Sequence, residues 1–439
     1  MECRPPVRFH VQPGGRLTGH VRVPGDKSIS HRAVILGAIA EGATQIKGFL
    51  RAEDCLATAC AFRAMGVNIE DKENGDLIVH GAGLHGLQSP SSALDLGNSG
   101  TSMRLLAGLL CGQPFDLTLT GDASLRRRPM QRVAEPLIRM GAAIASNKRG
   151  TPPLRITGGR KLHGIKYRMP MASAQVKSSV LLAGLYAEGQ NCVIELAPTR
   201  DHTERMLAGF GYAIKKEDGK TSLRGGGRLR AGTIEVPADI SSAAFFIVGA
   251  CIAPGSDLIL EQVSMNPTRI GVIEILRRMG ANIKISNEKT AGAEPVADLR
   301  VRSAALIGIN IPAELVPLAI DEFPAILVAA ACARGATALT GAAELRVKES
   351  DRIEAVSLGL EACGIATKPL ADGMIVHGGQ LQGATINSCG DHRIAMAFAI
   401  AGLAARGTII VQDCENVATS FPEFASLAAQ VGLGISVER

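Results

Sequence analysis

The chain has 439 residues, 46% of them hydrophobic, which is enough for two sizeable cores, but only 3% are aromatic and none is tryptophan. Its cores must therefore be built from Leu, Ile, Val, Ala and Met, and base-stacking nucleic-acid modules, which depend on exposed rings, are disfavoured. The formal net charge of +6 is modest and its Lys and Arg are not gathered in a tail, so a nucleic-acid or membrane arm is not expected, whereas a small anionic substrate fits the sign.

Taken in chain order, six apolar helices are predicted, each opening on a small polar residue: DKSISHRAVILGAIAEG, GNSGTSMRLLAGLLCG, SAQVKSSVLLAGLYAEG, DISSAAFFIVGACIAPG, DEFPAILVAAACARG and GDHRIAMAFAIAGLAARG. A short strand is expected after each, in ATQIKGFL, FDLTLTG, CVIEL, DLILEQV, ATALTG and TIIVQD. A polar loop, a second helix and a glycine before a last strand complete each stretch. Those glycines are Gly66, Gly141, Gly211, Gly280, Gly364 and Gly432, roughly 70 to 85 residues apart. Self-similarity at such a period is a fold-level signal, and a unit this long holds two helices and three or four strands. Six units grouped in threes give an α/β protein of two similar domains of about 200 residues each.

The starts of the six helices carry the chemistry. The expected caps are Asp26 or Ser28, Asn98, Ser173, Asp239, Asp321 and Asp391. An all-apolar helix is buried, and its first turn offers unpaired N–H groups and a partial positive charge. Lys27, Ser28 and Arg32 lie on the first start, Gly100, Thr101 and Arg104 on the second, Ser173, Gln175 and Lys177 on the third, and Asp391, His392 and Arg393 on the last. Helix termination explains a single cap. Cations placed repeatedly where the macrodipole is already positive point instead to a negative ligand, and facing domains would aim several such ends into one cleft.

Three loops extend the pattern: LRRRPMQR with Arg126, Arg127 and Arg128, LRVKESDR with Lys348, Glu349 and Arg352, and TRDHTERM with Arg200, Asp201 and His202. A solvated surface accounts for most triple arginines, but Arg128, beside Pro129, is better placed for a ligand than its neighbours. His31, His202 and His392 have no partner at metal-ligand spacing, so no metal is expected. The ten cysteines form no CxxC pair and read as reduced thiols. MECRPPVRFH shows neither a secretory core nor a transit pattern, and no apolar run reaches about 18 residues, so a cytoplasmic protein without membrane spans is expected.

The stretches GDKSISHR, GNSGTSMRL, SAQVKS, the Asp of IDEFP, RVKESDR and DHRIAM together resemble the enolpyruvylshikimate-phosphate synthase family, from about residue 9 to the end of the chain. The resemblance implies two domains, each of three βαβαββ repeats with buried helices in an inside-out α/β barrel-like arrangement. Residues 1–24 and 239–439 would form a discontinuous domain, 25–238 an inserted one, with the active-site cleft between them. It implies transfer of the enolpyruvyl group of phosphoenolpyruvate to the 5-hydroxyl of shikimate 3-phosphate with release of phosphate, no cofactor, and a monomer.

The family pattern places Lys27 against both substrates. Ser28, Arg32, Ser173, Ala174, Gln175, Arg200, Asp321 and Lys348 fall on the shikimate 3-phosphate side, and Gly100, Arg128, Gln175, Arg352 and Arg393 on phosphoenolpyruvate. Asp321 would accept the 5-hydroxyl proton, and Glu349, assisted by Lys27, would handle the proton at the methylene carbon. The inhibitor glyphosate would occupy the phosphoenolpyruvate position, where Gly100 leaves room for it. The chain departs from many members in carrying Thr419 where they have Lys and Leu105 where Pro is common, and SAQVKS and TRDHT resemble a branch whose members are often glyphosate-tolerant.

The same stretches speak against other functions. A UDP-N-acetylglucosamine carboxyvinyltransferase would have Lys-Asn rather than Lys27-Ser28 and a Cys in GDASLRRRPM. An RNA-end-modifying relative would need a catalytic His and a basic track. A non-catalytic anion-binding relative would have no use for Asp321 and Glu349 among its cations.

Overall fold

The computed structural model describes residues 6–439, so Cys3 lies outside the described residues. The chain divides into two compact units. An inserted unit comprises Gly25–Val236 with Ala291–Glu294, and a discontinuous unit comprises Met1–Pro24, Pro237–Thr290 and Pro295–Arg439.

Helices α1 Lys27–Ala38, α2 Glu53–Ala64, α3 Gly100–Leu110, α4 Gln131–Arg139, α5 Ala174–Gly184 and α6 His202–Gly209 belong to the inserted unit. The discontinuous unit holds α7 Ile240–Ile252, α8 Gly271–Arg278, α9 Phe323–Ala331, α10 Arg352–Ala362, α11 His392–Ala401 and α12 Phe424–Val431. The odd-numbered helices are the apolar ones predicted, and they are buried almost all round: every residue of α9 is buried, as is α7 from Ile240 to Cys251. The even-numbered helices bury one stripe, as α4 does with Val133, Ala134, Pro136 and Leu137. No helix among the described residues is long and apolar enough to cross a membrane.

A strand follows each odd helix: Glu41–Lys47, Leu117–Thr120, Gln190–Ile194, Asp257–Ser264, Ala336–Leu339 and Ile409–Gln412. Each lies inside a separate small sheet or at its edge, giving five sheets of four strands and one of three. In the four-stranded sheets this strand has a parallel neighbour, as Thr233–Glu235 pairs with Glu41–Lys47. In the three-stranded sheet the parallel contact is reduced to isolated bridges, Ile307 to Arg334 and Asn310 to Ala338.

The even helices all end the same way. Gly66, Gly141, Gly211, Gly280, Gly364 and Gly432 have φ of +84°, +104°, +78°, +94°, +80° and +116°. A left-handed residue just past a helix stops it and turns the chain into the next strand, and glycine takes that conformation without a Cβ penalty.

Each unit has its own core. The inserted unit packs Leu, Val, Ala and Met around α1, α3 and α5. The helices touch closely there, since a Cβ on Gly108 of α3 would fall on the Ser179 carbonyl of α5. In the discontinuous unit Phe9, Phe245, Phe246, Phe421 and Phe424 form one ring cluster, with centroids 5.6 to 6.2 Å apart, so nearly half of the chain's 11 phenylalanines serve one site. Among the described residues every cysteine is a free thiol, and most are buried or half-buried. Burial pushes the thiols of Cys111 and Cys251 up to about 12, which keeps them protonated and inert.

Candidate functional site

Two predicted caps are corrected. Asn98 does not cap α3. Ser99, the next residue, does, by accepting from the Ser102 N–H at 3.1 Å. Asn98 instead accepts from Arg128 Nη2 at 2.5 Å and donates to Asp122 at 2.7 Å. Asp321 does not cap α9. Glu322 holds that position without a capping bond, and Asp321 turns to the cations described below. Asp26, Ser173, Asp239 and Asp391 do cap their helices through their side chains.

The inserted unit gathers cations at the starts of α1, α3 and α5. Lys27 Nζ lies 2.5 Å from Asp54 Oδ2. Arg32, only 4% exposed, spans three elements. It donates to the Ser28 carbonyl at 2.9 Å, to Ser178 Oγ at 2.8 Å and to Thr203 Oγ1 at 2.7 Å. Gln175 on α5 is tied to α3: it accepts from Arg104 at 2.8 Å and donates to Thr101 at 3.1 Å. Of the three consecutive arginines, Arg126 and Arg127 are exposed and Arg128 is buried. Gly100 opens α3, and a Cβ there would stand 2.8 Å from Arg104 Nη1 and 3.0 Å from Arg128 Nη1. Ser173 and Ala174 open α5, and Arg200 is half-buried beside Asp201 in the loop before α6.

Lys177 is more enclosed than Lys27, which is part-exposed and meets the single carboxylate of Asp54. Lys177 is fully buried, 2.6 Å from Glu204 and 3.0 Å from Glu195, so protein carboxylates rather than a ligand answer its charge. His202 is likewise engaged, 2.7 Å from Glu294. His31 is buried beneath the α1 start and reaches Thr58 Oγ1 at 2.8 Å; Thr58 and Ser99 each lie 2.6 Å from Ser102. This chain of hydroxyls links α1, α2 and α3. Burial first, then the charges of Lys27 and Arg32, push the His31 imidazole well below its ordinary value against a smaller opposing effect of Asp26, so it is neutral.

The discontinuous unit holds the carboxylates. Arg352, 1% exposed, is their hub. Its Nε lies 2.8 Å from Asp391, its Nη2 2.6 Å from Glu349 and its Nη1 3.2 Å from Asp321. Burial opposes the charge of this guanidinium most strongly, but Asp391, Glu349 and Asp321 together outweigh it and hold its pKa above the ordinary value. Asp391 is in turn held below the ordinary carboxylate value: burial acts against its charge, and Arg352 outweighs it with help from His392. Lys348 Nζ is 3.3 Å from Asp321 and 2.8 Å from Glu344. Arg393 Nη1 donates to the Asp321 carbonyl at 3.0 Å and approaches Glu322 at 3.9 Å. Its Nε and Nη2 have no other partner among the described residues, which leaves a two-donor edge for an anion. Thr419 is buried and donates to the Asn416 carbonyl at 2.7 Å, so this position supplies no cation.

No group of three or more His, Cys, Asp or Glu among the described residues is arranged to hold a metal ion. The residues missed in the sequence are mostly protein partners of those found: Asp54 for Lys27, Glu195 and Glu204 for Lys177, Glu322 for Arg393 and Arg269 for Asp239. Only their charge could have marked them, since their contacts span many residues of chain.

Cationic helix starts in one unit and a carboxylate cluster around a buried arginine in the other are attributes of an α/β enzyme that acts on anions. The chain matches the family EPSP synthase (3-phosphoshikimate 1-carboxyvinyltransferase) over residues 11–427. It is 63% identical over 429 residues to a 3-phosphoshikimate 1-carboxyvinyltransferase of Nitrosococcus oceani, covering 98% of this chain and 97% of that one. The relative of the same name from Methylococcus capsulatus is also 63% identical, over 431 residues, with 98% and 99% covered. A solved structure of EPSP synthase from Acinetobacter baumannii superposes with a TM-score of 0.89 at 56% identity, covering 99% of this chain and all of that one. The chain belongs to the EPSP synthase family.

Proposed function

We infer that the chain transfers the enolpyruvyl group of phosphoenolpyruvate to the 5-hydroxyl of shikimate 3-phosphate and releases phosphate, a step in the biosynthesis of aromatic amino acids in the cytoplasm. The observation that carries this reading is the seating of Asp321 and Glu349 on one buried guanidinium, that of Arg352, beside Lys348 and Arg393. A binding protein has no use for two such carboxylates among cations. A transferase needs one to take a proton from the attacking hydroxyl and one to manage the proton at the methylene carbon.

In this reading Asp321 accepts the 5-hydroxyl proton as the oxygen attacks C2 of phosphoenolpyruvate. C3 gains a proton from Glu349, with Lys27 assisting, and the positive character at C2 is balanced by the surrounding carboxylates. Loss of that C3 proton and cleavage of the C2–O bond to phosphate then yield the enolpyruvyl ether. Lys27, Ser28, Arg32, Ser173, Ala174, Gln175, Arg200, Asp321 and Lys348 are assigned to shikimate 3-phosphate. Lys27, Gly100, Gln175, Arg128, Arg352 and Arg393 are assigned to phosphoenolpyruvate. The free edge of Arg393 supports its assignment. Arg352 is more committed to protein carboxylates, so its share in substrate binding rests on Nη1, which has a single acceptor.

The six small sheets, each with two helices, support a finer architecture of six βαβαββ repeats, three to a unit with the apolar helices inside. The activity is tested by phosphate release on mixing the protein with both substrates, compared with either alone. Release that does not require both substrates would refute it.

A further inference from the structure

Glu322 follows the proposed base directly, yet the reaction outlined above gives it no task. It is 1% exposed and carries an ionisable group into the interior of the discontinuous unit. Its place before α9 is one where Ser, Thr, Asp or Asn would cap the helix, and it makes no capping bond. Its Oε1 instead accepts from Ser241 Oγ, in the first turn of α7. Ser241 Oγ itself accepts from Arg269 Nη2 at 2.6 Å, and Arg269 also meets the α7 cap, Asp239, at 3.3 Å. Glu322 Oε1 lies 3.8 Å from Arg269 and 3.9 Å from Arg393 Nη1. Its Oε2 has no hydrogen-bond partner.

A buried carboxylate with one oxygen unmatched is unfavourable for folding alone. Besides joining Ser241 and Arg269, the carboxylate reaches Arg393. The Nη1 end of that guanidinium is held by two consecutive residues, through the Asp321 carbonyl at 3.0 Å and the Glu322 carboxylate at 3.9 Å. Held at one end, the planar fork keeps Nε and Nη2 together for a single bidentate acceptor.

We propose that Glu322 is a positioning residue for the phosphoenolpyruvate site, fixing Arg393 by its Nη1 end so that the opposite edge grips the substrate's anionic group. This rests on the assignment of Arg393 to phosphoenolpyruvate. Glu322→Gln keeps the shape and the acceptor for Ser241 but removes the charge that holds Arg393. Steady-state phosphate release by this variant is expected to show a KM for phosphoenolpyruvate raised on the order of tenfold, with kcat and the KM for shikimate 3-phosphate within about twofold of wild type. Glu322→Asp keeps the charge but withdraws it by one methylene, and a smaller selective rise, about threefold, is expected. It carries the test if the Gln variant does not fold.

A role in stability alone would lower the melting temperature and leave the kinetic constants of the folded enzyme unchanged, and that result in whichever variant folds would overturn the proposal. Arg393→Ala is measured alongside. If it leaves the KM for phosphoenolpyruvate unchanged, or if wild type releases no phosphate, the site assignment falls and this proposal with it. If wild type is active and Arg393→Ala binds phosphoenolpyruvate weakly while Glu322→Gln is normal, the proposal alone is refuted.

Discussion

Replacing Asp321 by Asn separates the two things its carboxylate does. In the structure it pairs with Lys348 at 3.3 Å and Arg352 at 3.2 Å. In the proposed reaction it takes a proton from the 5-hydroxyl. Asn keeps the shape and one acceptor but has no useful basicity. Arg352 keeps Asp391 at 2.8 Å and Glu349 at 2.6 Å, so its buried charge is still answered and the unit should fold. The groups assigned to the phosphate of shikimate 3-phosphate, Arg32 and Ser173 among them, lie elsewhere in the chain, so binding of that substrate should remain measurable by calorimetry. Loss of a general base removes on the order of 100-fold or more in turnover. That corresponds to about 2.7 kcal/mol or more on the barrier. The assay is continuous phosphate release at saturating concentrations of both substrates. Turnover within about fivefold of wild type would refute the assignment of Asp321 as the base, since no positioned proton acceptor is worth so little.

Two further outcomes concern stability. His31 is buried and neutral, and its imidazole is held well below the ordinary value chiefly by burial. The unfolded chain binds a proton there below about pH 6.5 and the folded chain does not, so this histidine lowers stability as pH falls from that point, by up to about 1.4 kcal/mol per pH unit. Urea unfolding between pH 7.5 and 5 should show a shallower decline for His31→Gln than for wild type, and parallel declines would refute the assignment; Asp391, where burial is outweighed chiefly by Arg352, is held below the ordinary carboxylate value and does not enter this window. Gly108→Ala should destabilise by about 1–3 kcal/mol, because the new methyl meets the Ser179 carbonyl of α5, less about 1 kcal/mol of gained helix propensity. An unchanged or higher melting temperature would show that α3 and α5 can separate without cost.

The elements that the sequence makes legible are those in which local pattern and burial agree. An all-apolar helix such as DEFPAILVAAACARG has one stable environment, and the glycine after each second helix marks a left-handed stop that other residues resist. At the α3 start two cap-forming residues stand side by side. Asn98 and Ser99 can both accept from a helix N–H, and the nearby Arg128 draws Asn98 away. Asp321 is likewise drawn from the α9 start, by Lys348 and by Arg352 at the start of α10, and Glu322 takes the cap position without a capping bond. The motifs name the cations of the candidate site, but not what holds them. Lys177 reads like Lys27 in its placement, yet Glu195 and Glu204 enclose it, and those partners come from a strand end and a helix that only the tertiary structure brings near. An excess of positive charge at helix starts is therefore evidence for an anion only after the carboxylates that approach those starts have been counted.

Gly100 shows how that reasoning extends to inhibitor selectivity. If the family pattern holds, glyphosate lies where phosphoenolpyruvate does and is slightly longer, so space at the α3 start decides how well it fits. A methyl at residue 100 would stand 2.8 Å from Arg104 Nη1 and 3.0 Å from Arg128 Nη1. Both atoms are ends of flexible side chains, so a shift of a few tenths of an ångström accommodates the methyl. Arg128 is also assigned to phosphoenolpyruvate, so the shift weakens substrate binding somewhat. The longer inhibitor loses that contact and the space as well. Wild type should therefore be inhibited competitively with phosphoenolpyruvate. In Gly100→Ala the inhibition constant should rise on the order of tenfold more than the KM for phosphoenolpyruvate, a selectivity that one methyl in a close-packed site can produce. If the family pattern also holds at Thr419, the lack of the cation that many members carry there would work in the opposite direction, weakening anion binding whichever ligand is present. The two effects are separable: Thr419→Lys should tighten substrate and inhibitor together, whereas Gly100→Ala should part them. Equal losses for both ligands in Gly100→Ala, or a wild type that glyphosate does not inhibit, would show that space at the α3 start does not govern selectivity in this chain.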